Sequence, residues 1–259
     1  ALLLGVLGAD AEHGAAPAHR LGLAPPAQPQ QLLALAAVAH RAHLAGAALL
    51  EQEPAALEAT PIGTAQTPQG ELPHVRLDLE ILPNTTSQYP GPSGLVNLQI
   101  EDDGVTQEEG WPFYWPSTSI TLPANTLVTV RVKQYDTSGA PWNDFWAGVH
   151  GTVDGMASYY GTKKSGLKPA EVAHTFTIHS YPESGQPTVF LSVPMKGVPN
   201  NAKNEANGLP KPEIIEFSFI TGAPGEYVWN CEDPCGDSYQ SFGGVMQARG
   251  WMSGKITVV

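Results

Sequence analysis

The chain has 259 residues, of which only 15% are charged, and a formal net charge of -12. A chain so acidic and so poor in Lys and Arg has no attraction for nucleic-acid phosphates, which excludes DNA and RNA as expected partners. Its 27 glycines and 24 prolines punctuate it for turns rather than a helical bundle, and its two cysteines are too few for a disulfide scaffold.

The chain starts ALLLGVLGAD. That stretch reads as the end of a signal sequence or membrane anchor, and it sets the expectation of an extracytoplasmic protein. No run of 18 or more apolar residues is free of charge, so no complete transmembrane helix is expected. Residues 1–57 read as an Ala- and Leu-rich helical extension. Within it, QQLLALAAVAHRAHLAGAALLEQE lies between Pro29 and Pro54 and predicts a helix over 30–52. His40, Arg41 and His43 interrupt its middle, which makes it a poor bilayer span and a candidate docking element for a membrane or redox protein partner. His40 and His43 share a helix face, but no acidic or Cys residue lies nearby to complete a metal site. The next stretch, EATPIGTAQTPQG, is small and polar, so residues 58–70 read as a linker.

From Glu71 the periodicity changes to two. Val75, Leu77, Leu79 and Ile81 alternate with Arg76, Asp78 and Glu80, and Val128, Val130 and Val132 alternate with Thr129, Arg131 and Lys133. Further strands are expected at VAHTFTIHS, TVFLSV, EIIEFSFI, EYVWNC and GKITVV, separated by Gly/Pro turns such as GAPG. The pattern predicts an all-β Greek-key sandwich or barrel over 71–259. The acidic loop EDDGVTQEEG (Glu101 to Gly110) lacks an EF-hand pattern and reads as a solvated loop. His74 and His179 are expected at the surface, and Asn84-Thr85-Thr86 is a glycosylation acceptor in form only.

Three segments carry the chemistry. In VAHTFTI, His174 shares a strand face with Val172, Phe176 and Ile178, so it projects among apolar side chains and needs partners for its nitrogens. In PGEYVWNC, Tyr227, Trp229 and Cys231 share a face, and Cys231 leaves the strand's end beside an aromatic wall. Met252 precedes the last strand. One His, one Cys and one Met at the ends of neighbouring strands make up much of a blue-copper site, where thiolate, imidazole and a weak thioether select copper.

These segments resemble the cupredoxins over roughly residues 72–259. "AHTFTI" is similar to the strand bearing the first His ligand, "PGEYVWNC" to the strand leading to the copper Cys, and "MSGKITVV" to the closing strand of plastocyanin-like domains. The W-x-C-x-x-P-C pattern over Trp229–Cys235 resembles a group of extracytoplasmic bacterial cupredoxin-like domains. The resemblance implies copper as cofactor, with His174, Cys231 and Met252 as ligands. The sequence departs from the pattern at one position. Where the family has a second His before the Met, this chain has Gln247, and Gln247, Met246, His150 and Cys235 are the candidates to complete the shell. The spacing of Cys231 and Cys235 also resembles the binuclear copper loop of oxidase subunit II, with Asp233 at the acid's place. Tyr239 and Phe242 stand where that loop has its His and Met. The cysteines therefore have three readings: a Cys231–Cys235 disulfide, one ligand and one bystander, or a soft Cu(I) set with His174 and Met.

The expected function is a membrane-associated, extracytoplasmic copper protein in one-electron transfer, an electron carrier rather than an enzyme. The competing expectation is a copper-free sandwich acting as a structural or accessory subunit of a membrane complex.

Overall fold

The protein is described by a computed structural model covering residues 55–84, 88–89, 112–141, 143–180, 189–235 and 250–259. All of these belong to one compact unit, Ala45–Val259. The helix expected over 30–52, the acidic loop 101–110, Met246 and Gln247 lie outside the described residues.

Thirteen strands occur among the described residues: β1 (Leu57–Glu58), β2 (Thr60–Thr67), β3 (Gly70–Leu82), β4 (Phe113–Trp115), β5 (Ser119–Leu122), β6 (Leu127–Gln134), β7 (Ala157–Tyr159), β8 (Thr162–Lys164), β9 (Val172–Ser180), β10 (Phe190–Lys196), β11 (Glu213–Ile220), β12 (Gly225–Asn230) and β13 (Ser253–Val258). They build two sheets. One has the order β1-β5-β13-β12-β9-β10, and the other β2-β3-β6-β11-β7-β8 with β4 paired to β3. Both are mixed, because β3 runs parallel to β6 and β5 runs parallel to both β1 and β13. This is the all-β sandwich that the period-two pattern predicts.

The alternation explains the packing. On β3, Val75, Leu77, Leu79 and Ile81 are buried while Arg76 and Asp78 face solvent. Their neighbours Val128, Val130 and Val132 on β6, and Ile215, Phe217 and Phe219 on β11, extend the same inner face. From the other sheet come Phe176, Ile178, Val193, Tyr227 and Trp229. Phe176 touches Phe217 across the sandwich, with ring centroids 5.6 Å apart, and Trp229 lies 4.8 Å from both Phe176 and Tyr114. Such aromatic pairs add stabilisation beyond the area they bury.

Residues 58–70 are not a linker. Pro and Gly there mark a hairpin and a bulge. Thr67 and Gly70 close the turn between β2 and β3, with the Thr67 hydroxyl donating to the Gly70 carbonyl at 2.8 Å and Gly70 at φ +104. The register shifts between Pro61 and Gly63, which a strand at the sheet edge tolerates. The sandwich thus begins at Leu57, where β1 pairs with β5, rather than at Glu71. His74 is half-buried in the middle of β3, its Nε2 2.8 Å from the Thr129 hydroxyl, and His179 is half-buried at the end of β9.

One glycine fixes the approach of β13 to the chain before β5. A Cβ on Gly254 would sit 2.0 Å from the Thr118 carbonyl oxygen, and that same oxygen accepts the Trp229 indole N–H at 2.8 Å. Gly254→Ala is therefore expected to lower stability by at least about 2 kcal/mol, because the obstructing atoms are backbone and cannot swing away. Urea unfolding followed by tryptophan fluorescence measures it, and an unchanged midpoint would contradict the packing described.

Candidate metal centre

The site forms where β9, β12 and β13 converge. His174 points inward from β9 opposite Met195, in line with Val172 and Phe176. Cys231 is the first residue beyond β12. Its N–H donates to the Met252 carbonyl at 2.8 Å, so the β12–β13 pairing continues one step and sets Met252 against it. The chain then reverses through Glu232, Asp233 and Pro234 and brings Cys235 back over Cys231. The Asp233 carbonyl oxygen lies 3.3 Å from Cys231 Sγ and 3.0 Å from Cys235 Sγ. The Glu232 N–H is held by the Thr175 hydroxyl at 2.8 Å, which ties the reversal to β9.

Three donor atoms face one another. His174 Nδ1 lies 3.1 Å from Cys235 Sγ and 3.9 Å from Cys231 Sγ, and the two sulfurs are 3.4 Å apart. No disulfide joins the two cysteines, and all three side chains are buried. The Thr175 N–H points at Cys231 Sγ from 3.3 Å. His174 Nε2, on the far side of the ring, meets Asp136 Oδ2 at 2.9 Å.

The electrostatics follow from this packing. Burial alone pushes the His174 ring down, but hydrogen bonds to Asp136 and Cys231, with their charges, outweigh it and raise the ring to about 10. Burial likewise opposes a charge on Cys231. The Cys235 thiol, the His174 ring and the Thr175 N–H reverse that and hold Cys231 well below the ordinary thiol range. Cys235 is pushed well up, first as the hydrogen-bond partner of Cys231 and then by burial. The packing therefore favours charge on the His174 ring and on Cys231 over charge on Cys235. Tyr114 closes the other side, its hydroxyl donating to the Thr175 carbonyl at 3.1 Å and its phenol kept neutral by burial.

The donor set fits a soft metal ion. Bonds of about 2.0 Å to nitrogen and 2.3 Å to sulfur place ligand atoms roughly 3.5–4 Å apart in tetrahedral or trigonal sets. Of the three separations, 3.9 Å falls in that range while 3.1 and 3.4 Å fall just short of it, so a bound ion would need the donors to spread slightly; the three atoms lie within 4.8 Å of one another. Two sulfurs and one imidazole suit copper, above all Cu(I), which accepts low coordination numbers.

Of the residues expected from sequence, His174, Cys231 and Cys235 come together, and Met252 is fully buried beside Cys231. His150 is placed elsewhere. Its ring stacks on Phe145 and meets the Phe145 carbonyl at 3.1 Å, and its backbone pairs with Ser192, three residues along β10 from Met195. Sequence reading missed Asp136. It stands two residues beyond β6, and nothing in its local sequence shows that the tertiary fold turns its carboxylate onto a histidine from the other sheet.

No protein-family model and no curated protein matches the sequence. Among solved structures the chain is similar to the copper protein rusticyanin, with 14% identity over 72% of this chain and 78% of that one and a TM-score of 0.30. It is also similar to auracyanin B, with 14% identity over 77% and 98% and a TM-score of 0.28, and to a multicopper oxidase, with 10% identity over 72% and 44% and a TM-score of 0.25. Likenesses this distant assign no activity; the sandwich and the donor triangle stand on their own geometry.

Asp233 gives a test of the site's electrostatics. Burial, then the Cys231 charge, raises its carboxyl from 3.8 to about 7. Between those values the folded chain binds a proton that the unfolded chain has released, so stability falls as pH rises through that window. Asp233→Asn removes the penalty. The metal-free variant is expected to match the wild type near pH 4 and to exceed it by roughly 2 kcal/mol at pH 8, read by urea unfolding at both values.

Proposed function

We propose that the protein is a cupredoxin-type copper protein that works outside the cytoplasm and exchanges single electrons with a redox partner at or near a membrane. The observation that carries this reading is the convergence of His174 Nδ1, Cys231 Sγ and Cys235 Sγ in one buried cluster. Met252 is the candidate for a weak further contact, and Gln247 and Met246 remain candidates from outside the described residues. Copper held there supplies a one-electron couple. Cys231 supplies the thiolate, kept charged by the Thr175 N–H and by Cys235, and His174 supplies the nitrogen. Tyr114, Trp229 and Phe176 pack on one another as a buried aromatic wall, tied to β9 beside the cluster by the Tyr114 hydroxyl on the Thr175 carbonyl. This serves electron or copper handling rather than turnover of a substrate, in keeping with three buried donors of the kind that hold copper for one-electron exchange.

The extracytoplasmic setting rests on the resemblance of the W-x-C-x-x-P-C pattern over Trp229–Cys235 to extracytoplasmic bacterial cupredoxin-like domains. No helix among the described residues is long and apolar enough to cross a membrane. A partner engaging the helix expected over 30–52 is part of the same proposal.

Loading the reduced chain with Cu(I) and counting copper by elemental analysis is the direct test. One copper per chain is expected, with thiolate-to-copper absorption in the visible after oxidation. Cys231→Ser and Cys235→Ser should each lose stoichiometric binding. A colourless, metal-free chain with a Cys231–Cys235 bond would overturn the reading in favour of a copper-free accessory module.

A further inference from the structure

His174 is held from two sides by different parts of the fold. The sulfurs facing its Nδ1 belong to the sheet containing β9 and β12. The carboxylate on its Nε2 belongs to Asp136, just beyond β6 of the opposite sheet. Asp136 is itself fixed at several points. Its Oδ1 accepts the Thr137 N–H at 2.7 Å, its carbonyl accepts the Val198 N–H at 2.8 Å and the Gln134 amide at 2.9 Å, and the Gln134 side chain accepts its own N–H. Thr137 also bridges to Val198, and the N–H groups of Gly139 and Ala140 both donate to the Val172 carbonyl at the start of β9. The loop carrying Asp136 is thus pinned to the strand that carries His174.

We propose that Asp136 is the positioning residue of the centre: it holds the His174 ring by Nε2 so that the Nδ1 lone pair is aimed at the space between Cys231 and Cys235. The assignment rests on the copper reading above and goes beyond it by naming the group that makes this imidazole a ligand. The chemistry is specific. A carboxylate accepts the Nε2 proton, which fixes the ring's tautomer and orientation and makes the opposite nitrogen a better donor. An uncharged amide at the same place holds the proton less strongly, and its NH₂ can donate to Nε2 and force the proton onto Nδ1, where it blocks the metal. Since His174 is the one imidazole in the cluster, no second nitrogen ligand among the described residues compensates for a misdirected ring.

The test uses the full chain and Cu(I) in competition with a chromophoric chelator. Asp136→Asn is expected to weaken Cu(I) binding about 10- to 100-fold. Asp136→Glu, which keeps the charge but moves it by one methylene, should fall between that variant and the wild type, and it serves if Asp136→Asn does not fold. Two further readouts separate positioning from a merely structural role. The rise in Tm on Cu(I) loading should shrink in Asp136→Asn, whereas a structural role would lower the metal-free and loaded Tm equally. In the loaded wild type, ¹⁵N NMR of His174 should show a slowly exchanging proton on Nε2 and none on Nδ1, a signature weakened in the variant. A wild type that binds no Cu(I) would overturn the copper reading and this assignment together. Tight wild-type binding left unchanged in Asp136→Asn and in Asp136→Glu would overturn the role of Asp136 alone.

Discussion

The site depends on a line of hydrogen bonds that crosses the sandwich from the Asp136 carboxylate through the His174 ring to the two sulfurs. A buried charge costs several kcal/mol unless it is paired, so none of these groups is tolerable alone. A charged His174 ring needs the carboxylate on one side and the sulfurs on the other. A charged Cys231 needs the Thr175 N–H and the second thiol. The loop after β6 must lie against the start of β9, and the chain after β12 must turn back at once. Both conditions are met by backbone hydrogen bonds that lead away from the cluster: Gly139 and Ala140 to Val172, and Cys231 to Met252. The apolar sandwich provides the enclosure, and the polar line within it specifies how its two sheets meet at this end.

Much of the fold was legible because period-two burial is a local property. The inward residues of β3, β6 and β11 can be read directly from HVRLDLEIL, LVTVRVKQ and EIIEFSFI. The first strands were not legible for an equally physical reason. TPIGTAQTPQG contains Pro61, Gly63, Pro68 and Gly70, which in isolation signal a linker. A bulged edge strand and a tight hairpin use those same residues, and only pairing with β3 distinguishes the cases. Nor does β9 alternate in burial. Val172 through Ile178 are all buried, His174 and the threonines included, so its inward face could be read only from the apolar residues that flank His174.

The site shows the same division. His174, Cys231 and Cys235 were visible because a buried imidazole and a close cysteine pair are chemically conspicuous at any sequence distance. Asp136 was invisible because carboxylates are common in polar loops, and its meaning comes only from lying 2.9 Å from a ring 38 residues away. His150 failed in the opposite sense. It was a candidate to complete the shell, but its ring stacks on Phe145 and is held elsewhere.

The missing second imidazole and the second cysteine are best understood together. On a regular strand, residues four apart lie more than 10 Å apart along one face and cannot converge on one ion. A reversal through Asp-Pro removes that separation. The Asp233 carbonyl oxygen lies close to both sulfurs, and the Glu232 N–H anchors the turn to Thr175. Cys235 thereby reaches within 3.1 Å of His174 Nδ1. Gln247, at the position expected to hold a histidine, lies outside the described residues; convergence on a centre is decided by which donors the turns deliver. Here the turn directly after Cys231 delivers a third donor, and it is sulfur in place of nitrogen. That exchange makes the donor set softer than one with two imidazoles, which on the proposed copper reading suits the lower oxidation state.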